Sequence, residues 1–442
     1  MKKNMIVTYF VIILILGIAG YIFLSPDFER ISPEIEFRDN VYWNAKTPLQ
    51  IKLTDNEGIK YYSITLGQYN ISKQLPKKIK NITVKFMLPK KYQFYQDNKT
   101  LKVEVGDYSK WQFFAGNITK KKFNVIIDKK RPFVNIISRS YGIGRGGAAL
   151  VIFKAKDKNL KENYIIINNS HKFKVFPYKK QFYYISLISW PIKEKTFNAK
   201  LFSIDKAKNK TVLPIPFFKK NYRYKTSKIT LNKNFLYNKV LEILTDTSQV
   251  IPEDFIERFK LMNENLRAEN EELLETTTCN FPTTEITSFQ ITPFHPLRNG
   301  AQKAAFGDHR FYYYNNEKVS ESWHLGLDLA STKNAPIKAS NPGKVVYAKF
   351  TGIYGNTLII YHGLGLFSSY SHCSVFFKNI GDIVKKDDVI AKTGATGAVF
   401  GDHLHFAIFI QGVESQPLEW LDKHWLRDNI YNVIKNADLI IK

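Results

Sequence analysis

Cysteine, acidic residues and helix-period stretches are all scarce in this chain. Only Cys279 and Cys373 occur among its 442 residues, far apart and without CxxC spacing. No disulfide framework follows from two such residues, and one bridge in an oxidising compartment is the most they allow. Cys373 directly follows His372, but neighbours on a strand point to opposite faces, so the pair makes a poor thiol–imidazole dyad. A small buried hydrophobe is the expected role of Cys373. Acids number 39 against 65 lysines and arginines, for a net charge of +26. Such a surplus suggests an anionic neighbour, either nucleic acid, a lipid surface or an acidic polymer such as cell wall. The lysines are spread along the chain, as at Lys77–Lys80, Lys120–Lys122 and Lys219–Lys220, and form no basic helix. With few helical patterns and plentiful Tyr, Phe, Ile and Thr, the chain is expected to be mostly β. Its 44% hydrophobic and 24% charged content lies well away from a disordered composition, and its length suits two to four domains.

Residues 6–24, "IVTYFVIILILGIAGYIFL", run nineteen residues without a charge, about the length that crosses a bilayer as a helix. Lys2 and Lys3 precede the run and the acidic "SPDFE" follows it. The positive-inside tendency then places the N-terminus in the cytosol and the remainder outside the cytoplasmic membrane. Nucleic acid drops out as a partner in that compartment. "GIAGYIFLSP" is a poor cleavage site, so an uncleaved single-pass anchor is expected over residues 1–29.

Two stretches then share one grammar of short strands and turns, 30–128 and 129–225. In both, a strand runs into an aspartate and a turn, Asp55–Asn56–Glu57–Gly58 and Asp157–Lys158–Asn159–Leu160. Two β-sandwich modules of immunoglobulin-like type are the expectation. "DKAKNKT" is similar over a few residues to the Asp-x-Ala-x-Asn turn of bacterial Ig-like repeats. "GIGRGG" at 142–147 has no βαβ frame around it and reads as a glycine turn, not a dinucleotide loop. A connector is expected over 226–284. Within it "PEDFIERFKLMNENLRAENEELLE" predicts an amphipathic helix with Phe255, Phe259, Met262, Leu266 and Leu273 on its apolar face and acids on the other. Strands return over 285–425, with a tail over 426–442.

Eight of the nine histidines lie after residue 290. "WHLGLDLAS" holds His324 and Asp328, "YSHCS" holds His372, and "GDHLHF" holds His403 and His405. On a strand, the period of two puts His403 and His405 on one face. Zinc takes imidazole nitrogen and carboxylate oxygen, and a catalytic zinc keeps three protein ligands and one open position. His324, Asp328 and His405 would supply that set, and the ion would bring the pKa of a bound water toward 7. His372 and His403 would remain for proton transfer and charge stabilisation. His362, before a glycine turn, is expected to have a structural hydrogen-bonding role, and His309 in "FGDHR" to lie near the groove mouth.

The order of these elements, with the glycines between them, resembles the LytM/lysostaphin-type zinc metallopeptidases of the M23 family. The resemblance spans about residues 293–421 and includes "FGDHR", "HLGLDLAS", "GDIVKKDDVIAKTGATG" and "GDHLHF". It implies a compact antiparallel β domain with one Zn2+ per chain on His324, Asp328 and His405, and with His403 and His372 flanking the water. It further implies an endopeptidase that cuts peptide cross-links of bacterial peptidoglycan in the periplasm. A D-Ala–diaminopimelate bond is the leading expectation and a polyglycine bridge the alternative. The rival reading is a non-catalytic scaffold or activator of other wall hydrolases, because some relatives have lost their ligands. A regulatory protein partner is expected at the Ig-like modules or the acidic helix, and a covered, latent groove is a third reading.

Overall fold

The computed structural model of the protein describes residues 2–92, 97–245 and 250–441, and it divides into two compact units. The first comprises residues 1–132 with 157–161 and 204–210, and the second comprises the rest. Lys2–Leu24 form a helix, and its Met5–Leu24 stretch is unburied, long enough and apolar enough to cross a membrane or to serve as a signal sequence.

Beyond the helix, the first unit is built on alternation. Ile51, Leu53, Ile64 and Leu66 are fully buried along one strand, Leu49–Leu66, which pairs antiparallel with Tyr69–Phe86. Residues two apart share a face, so this spacing lays one apolar stripe against the core. The sheet runs Glu34–Glu36, Leu49–Leu66, Asp97–Asp107, Ile118–Ile127, Val41–Trp43, with Tyr69–Phe86 joined to the second of these. The expected turn at Asp55–Gly58 is a bulge inside one continuous strand, with the register slipping between Thr54 and Ile59. Asp55 Oδ2 accepts from the Glu57 and Gly58 amides, and Gly58 sits at φ 121°. A local side-chain bond of this kind competes with the ladder without ending the strand. The second aspartate motif does separate two strands, Ala148–Lys156 and Leu160–Ile167.

Residues 133–215 carry two four-stranded sheets, one ordered His171–Lys174, Leu160–Ile167, Ala199–Asp205, Lys210–Ile215 and the other Phe176–Tyr178, Lys180–Ser189, Ala148–Lys156, Phe133–Arg139. In the second unit one hydrophobic core extends from Ile143 to Ile441. In the connector, helical turns at Phe235–Lys239 and Val240–Thr245 precede a second helical run that begins at Phe255, where the Asp254 carboxylate accepts from the Ile256 and Glu257 amides as an N-cap. It continues to Cys279 through a π-helical stretch, Leu261–Leu266. The wider turn rotates the buried face. Phe259, Met262 and Leu266 are buried as expected, but Leu274 lies inside while Leu273 is 42% exposed.

An eight-stranded sheet forms the C-terminal part. Its order is Ala301–Ala304, Leu327–Ala330, Leu404–Ile410, Leu366–Cys373, Asn356–Tyr361, Gly343–Phe350, Ile383–Val384, with Val413–Ser415 paired to Leu404–Ile410. Both cysteines are free; burial pushes the Cys373 thiol up to about 12, as befits a small hydrophobe. The glycine turn at 142–147 has a packing reason. A Cβ on Gly147 would lie 2.4 Å from Glu419 Oε1, and the Glu419 carboxylate accepts from the Ala148 amide and the Tyr222 hydroxyl.

Burial pushes the Glu419 carboxyl from 4.5 up to about 7. The folded state therefore binds this proton more tightly than the unfolded chain. The stabilisation is complete below the unfolded pKa and is lost as pH rises through about 7. Relative to Glu419→Gln, wild type should lose roughly 2–3 kcal/mol of unfolding free energy between about pH 5 and pH 8. Denaturant titrations of both proteins across that range, followed by tryptophan fluorescence, check it. Parallel curves would remove Glu419 as the source.

Candidate metal centre

Strand register assembles the centre. Asp328 lies directly opposite His405 on neighbouring antiparallel strands, and Ser371 lies opposite His405 on the other side. Residues opposite each other share a face, so the Asp328 carboxylate and His405 imidazole project together. His324 precedes the Asp328 strand and is held by its backbone, its amide donating to Asp308 O and its carbonyl accepting from Gly307. The three side chains converge: His324 Nε2 is 3.0 Å from Asp328 Oδ1 and 3.1 Å from His405 Nδ1, which is itself 2.9 Å from Asp328 Oδ1.

Carbonyl oxygens only accept, so they set the ring tautomers. His324 Nδ1 donates to Ala305 O at 2.8 Å, which leaves its Nε2 lone pair facing the cluster. His372 Nδ1 donates to Thr396 O and His403 Nδ1 to Gly401 O, both at 2.8 Å. Their free Nε2 atoms belong to rings 4.9 Å apart, and His403 Nε2 is 3.7 Å from Asp328 Oδ1. All five predicted site residues thus line one groove.

The electrostatics follow from burial. Burial alone raises the Asp328 carboxyl, but hydrogen bonds and charge from His324 and His405 outweigh it and hold the group well below the usual carboxylate range. Burial pushes His405 down to about 4, and it pushes His372 well below 6.5 with help from the His405 and His403 charges. Two imidazole nitrogens and one carboxylate oxygen gathered in this way are a zinc donor set, and tetrahedral bonds of about 2.0–2.1 Å set ligands about 3.3 Å apart. The chemistry of the donors therefore fits the ion.

Other residues of the centre went unassigned in the sequence reading. A Cβ on Gly326 would lie 2.4 Å from His405 Nε2, so only glycine leaves that ring its place. Arg310 Nη2 is 3.8 Å from Asp328 Oδ2, and Arg310 Nε is 3.4 Å from Asp308 Oδ2. Ser227 Oγ reaches both Asp308 oxygens, at 2.8 and 2.9 Å. "FGDHR" carried the signal, since alternation sends Asp308 and Arg310 to the groove and His309 away from it. His309 instead stacks on Trp323 at 4.3 Å. His362 is half-buried with Nδ1 on Pro342 O and Nε2 on Ser368 Oγ, which is a structural bond set. The groove has a cavity volume of about 640 Å³, and the connector walls it with Ile229, Leu231, Phe235, Phe259 and Met262. His372 holds φ 62°, a strained conformation kept at the groove floor.

Residues 322–417 match the model of Peptidase family M23. The C-terminal domain is an M23 peptidase domain. The chain is 33% identical over 107 residues to the DD-carboxypeptidase/endopeptidase Mpg of Neisseria meningitidis serogroup B, covering 24% of this chain and 25% of that protein. It is 34% identical over 88 residues to the peptidoglycan DD-endopeptidase ShyB of Vibrio cholerae, covering 20% and 21%. It is 36% identical over 108 residues to the murein hydrolase activator NlpD of Salmonella typhimurium, covering 24% and 28%. The chain thus spans about a quarter of the length of these relatives.

Gly326→Ala should push His405 away from His324 and Asp328 and weaken uptake of added Zn2+ by about 10–100-fold, the range seen when a metal-binding side chain loses its support. Competition against a zinc chelator measures this, with circular dichroism confirming an unchanged β content. Wild-type affinity in a folded variant would contradict the steric account.

Proposed function

We propose that the M23 domain is a zinc-dependent endopeptidase that cuts peptide cross-links of peptidoglycan, with a D-Ala–diaminopimelate bond as the favoured target. The convergence of His324 Nε2, Asp328 Oδ1 and His405 Nδ1 within 3.1 Å carries the reading. One Zn2+ on these three residues supplies Lewis-acid polarisation of a carbonyl and a water acidic enough to ionise near neutral pH. His372, kept neutral by burial and with Nδ1 committed to Thr396 O, offers an unprotonated Nε2 to accept the proton of the attacking water. The imidazolium so formed on His372 returns that proton to the leaving amine, while His403, whose Nε2 also carries a lone pair toward the groove, accepts a hydrogen bond from the water and orients it. Arg310, Lys228 and Lys303 line the same groove and give an acidic wall polymer a cationic path to it.

The remaining chain supports this work outside the cytoplasmic membrane. We assign residues 1–29 to an anchor, 30–128 and 129–225 to Ig-like spacing modules, 226–284 to a connector, 285–425 to the peptidase and 426–442 to a tail. The names of Mpg and ShyB agree with a DD-endopeptidase, whereas the NlpD name belongs to an activator. A full set of ligands and two further histidines favours the enzyme. Zinc-loaded protein should release new amino groups from cross-linked muropeptides, located by mass spectrometry. His372→Ala and His403→Ala should each lower turnover by about 10²–10⁴-fold while keeping zinc, and His405→Ala should lose both. A folded, zinc-loaded protein that leaves every muropeptide intact would falsify the enzyme reading in favour of the scaffold.

Latency is a second reading, favoured by one contact. Phe235 of the connector packs on Phe400, beside the His403 loop, at 4.6 Å between ring centroids. Closing the groove there would limit entry of a bulky cross-linked strand. Phe400→Ser should then raise turnover on intact sacculi several-fold and leave a small soluble muropeptide unaffected. Equal rates on sacculi would exclude this contact as a gate.

A further inference from the structure

Outside the M23 domain, the first unit contains the same acidic construction twice. Glu29, Asp55 and Asp107 each present an oxygen within 4.8 Å of the others, and so do Asp128, Asp157 and Asp205. Several bonds recur in both. Asn117 donates its amide to Asp107 Oδ1 and its Nδ2 to Asp107 Oδ2, both at 2.8 Å, and Asn209 does the same to Asp205 at 2.8 Å. The Asn117 Nδ2 also reaches the Glu29 carbonyl at 3.0 Å, and the Asn209 Nδ2 reaches the Asp128 carbonyl at 2.8 Å. Asp55 accepts from the amide two residues on, at 2.9 Å, and Asp157 likewise at 2.6 Å.

Each cluster also holds an orphaned oxygen. Asp55 Oδ1, on a residue 9% exposed, is buried without a hydrogen-bond partner, because only Oδ2 meets the Glu57 and Gly58 amides. Asn209 Oδ1, on a residue 3% exposed whose side-chain nitrogen bonds Asp205, is buried and unpartnered beside the second cluster. An oxygen withdrawn from water favours a partner that can meet it, and a cation is one such partner. Among the described residues none of the six acids pairs with a lysine or arginine, although the chain carries a net charge of +26. Burial, and after it the repulsion of neighbouring carboxylates, raises the Glu29, Asp55, Asp157 and Asp205 carboxyls. Carboxylates crowded without a cation behave in this way.

We propose that these two clusters are a matched pair of binding sites for a hard divalent cation of the calcium class, separate from the histidine-bearing centre. Three carboxylates are an all-oxygen donor set, which suits Ca2+ and offers no nitrogen or sulfur to zinc. In the reading above, the sites face a compartment where such modules bind Ca2+ at about 10⁻⁴–10⁻³ M. The occupied sites tie the chain around Glu29, the bulge at Asp55 and the loops at Asp157 and Asp205 into a rigid frame.

The test uses the full-length, zinc-loaded protein in detergent, titrated with Ca2+ by calorimetry and melted with Ca2+ or with EGTA. Two ions per chain are expected, with a rise in melting temperature that EGTA reverses and with zinc content unchanged. Asp55→Asn and Asp157→Asn keep an oxygen for the local amide bond and remove one charge from each cluster. Each should leave one ion bound, and the double substitution none. Wild-type protein that takes up no Ca2+ at millimolar concentration would overturn the proposal, as would folded variants that still bind two ions. Should a variant fail to fold, the wild-type stoichiometry and melting shift decide alone. Loss of peptidase activity has no bearing on any of these readouts.

Discussion

The cross-strand pairing of Asp328 with His405 is the constraint on which the candidate centre depends. One antiparallel register step puts a carboxylate and an imidazole on the same face at 2.9 Å. A slip by one residue would send each to the other side of the sheet. The fully buried strand Leu404–Ile410 makes such a slip costly, because its apolar side chains are covered on both faces. Apolar packing therefore sets the position of these polar side chains.

Around that pair the chain commits its polar groups in advance. Backbone carbonyls of Ala305, Thr396 and Gly401 each take one imidazole N–H, so three histidines present a lone pair on the groove side. The Asp328 carboxylate stays ionised in a largely buried site because two imidazoles outweigh the cost of burial. Gly326 and Arg310 complete the arrangement, the first by leaving room for a ring and the second by setting a positive charge on the second oxygen of Asp328. Preorganisation of this kind is what a site must have if it is to stabilise charge only as charge develops.

Much of this was legible in residue types and spacing. HxH read as a strand, HxxxD, YxH and the apolar run at 6–24 were all readable without coordinates, as was the amphipathic helix of the connector. Less was legible where the backbone departs from regular periodicity. The π-helical stretch at 261–266 exchanged Leu273 for Leu274 at the core, and the bulge at Asp55 replaced a turn that local residue preference favours. His309 drew attention as a histidine, yet the side chains facing the groove are its neighbours Asp308 and Arg310.

The amino-acid sequence by itself determined local quantities: a β-rich chain, one apolar helix, a basic surface and a set of five residues with ligand and proton-transfer chemistry. Such features depend on side-chain type and on separations of a few residues, which backbone geometry converts directly into shared faces. Tertiary structure alone decided that Asp328 would meet His405 across 77 positions of chain, that Gly326 had to lack a side chain, and that acids as distant as Glu29 and Asp107 would share one cluster. Those juxtapositions depend on strand register and core packing, which are summed over the whole domain and written in no short stretch of it.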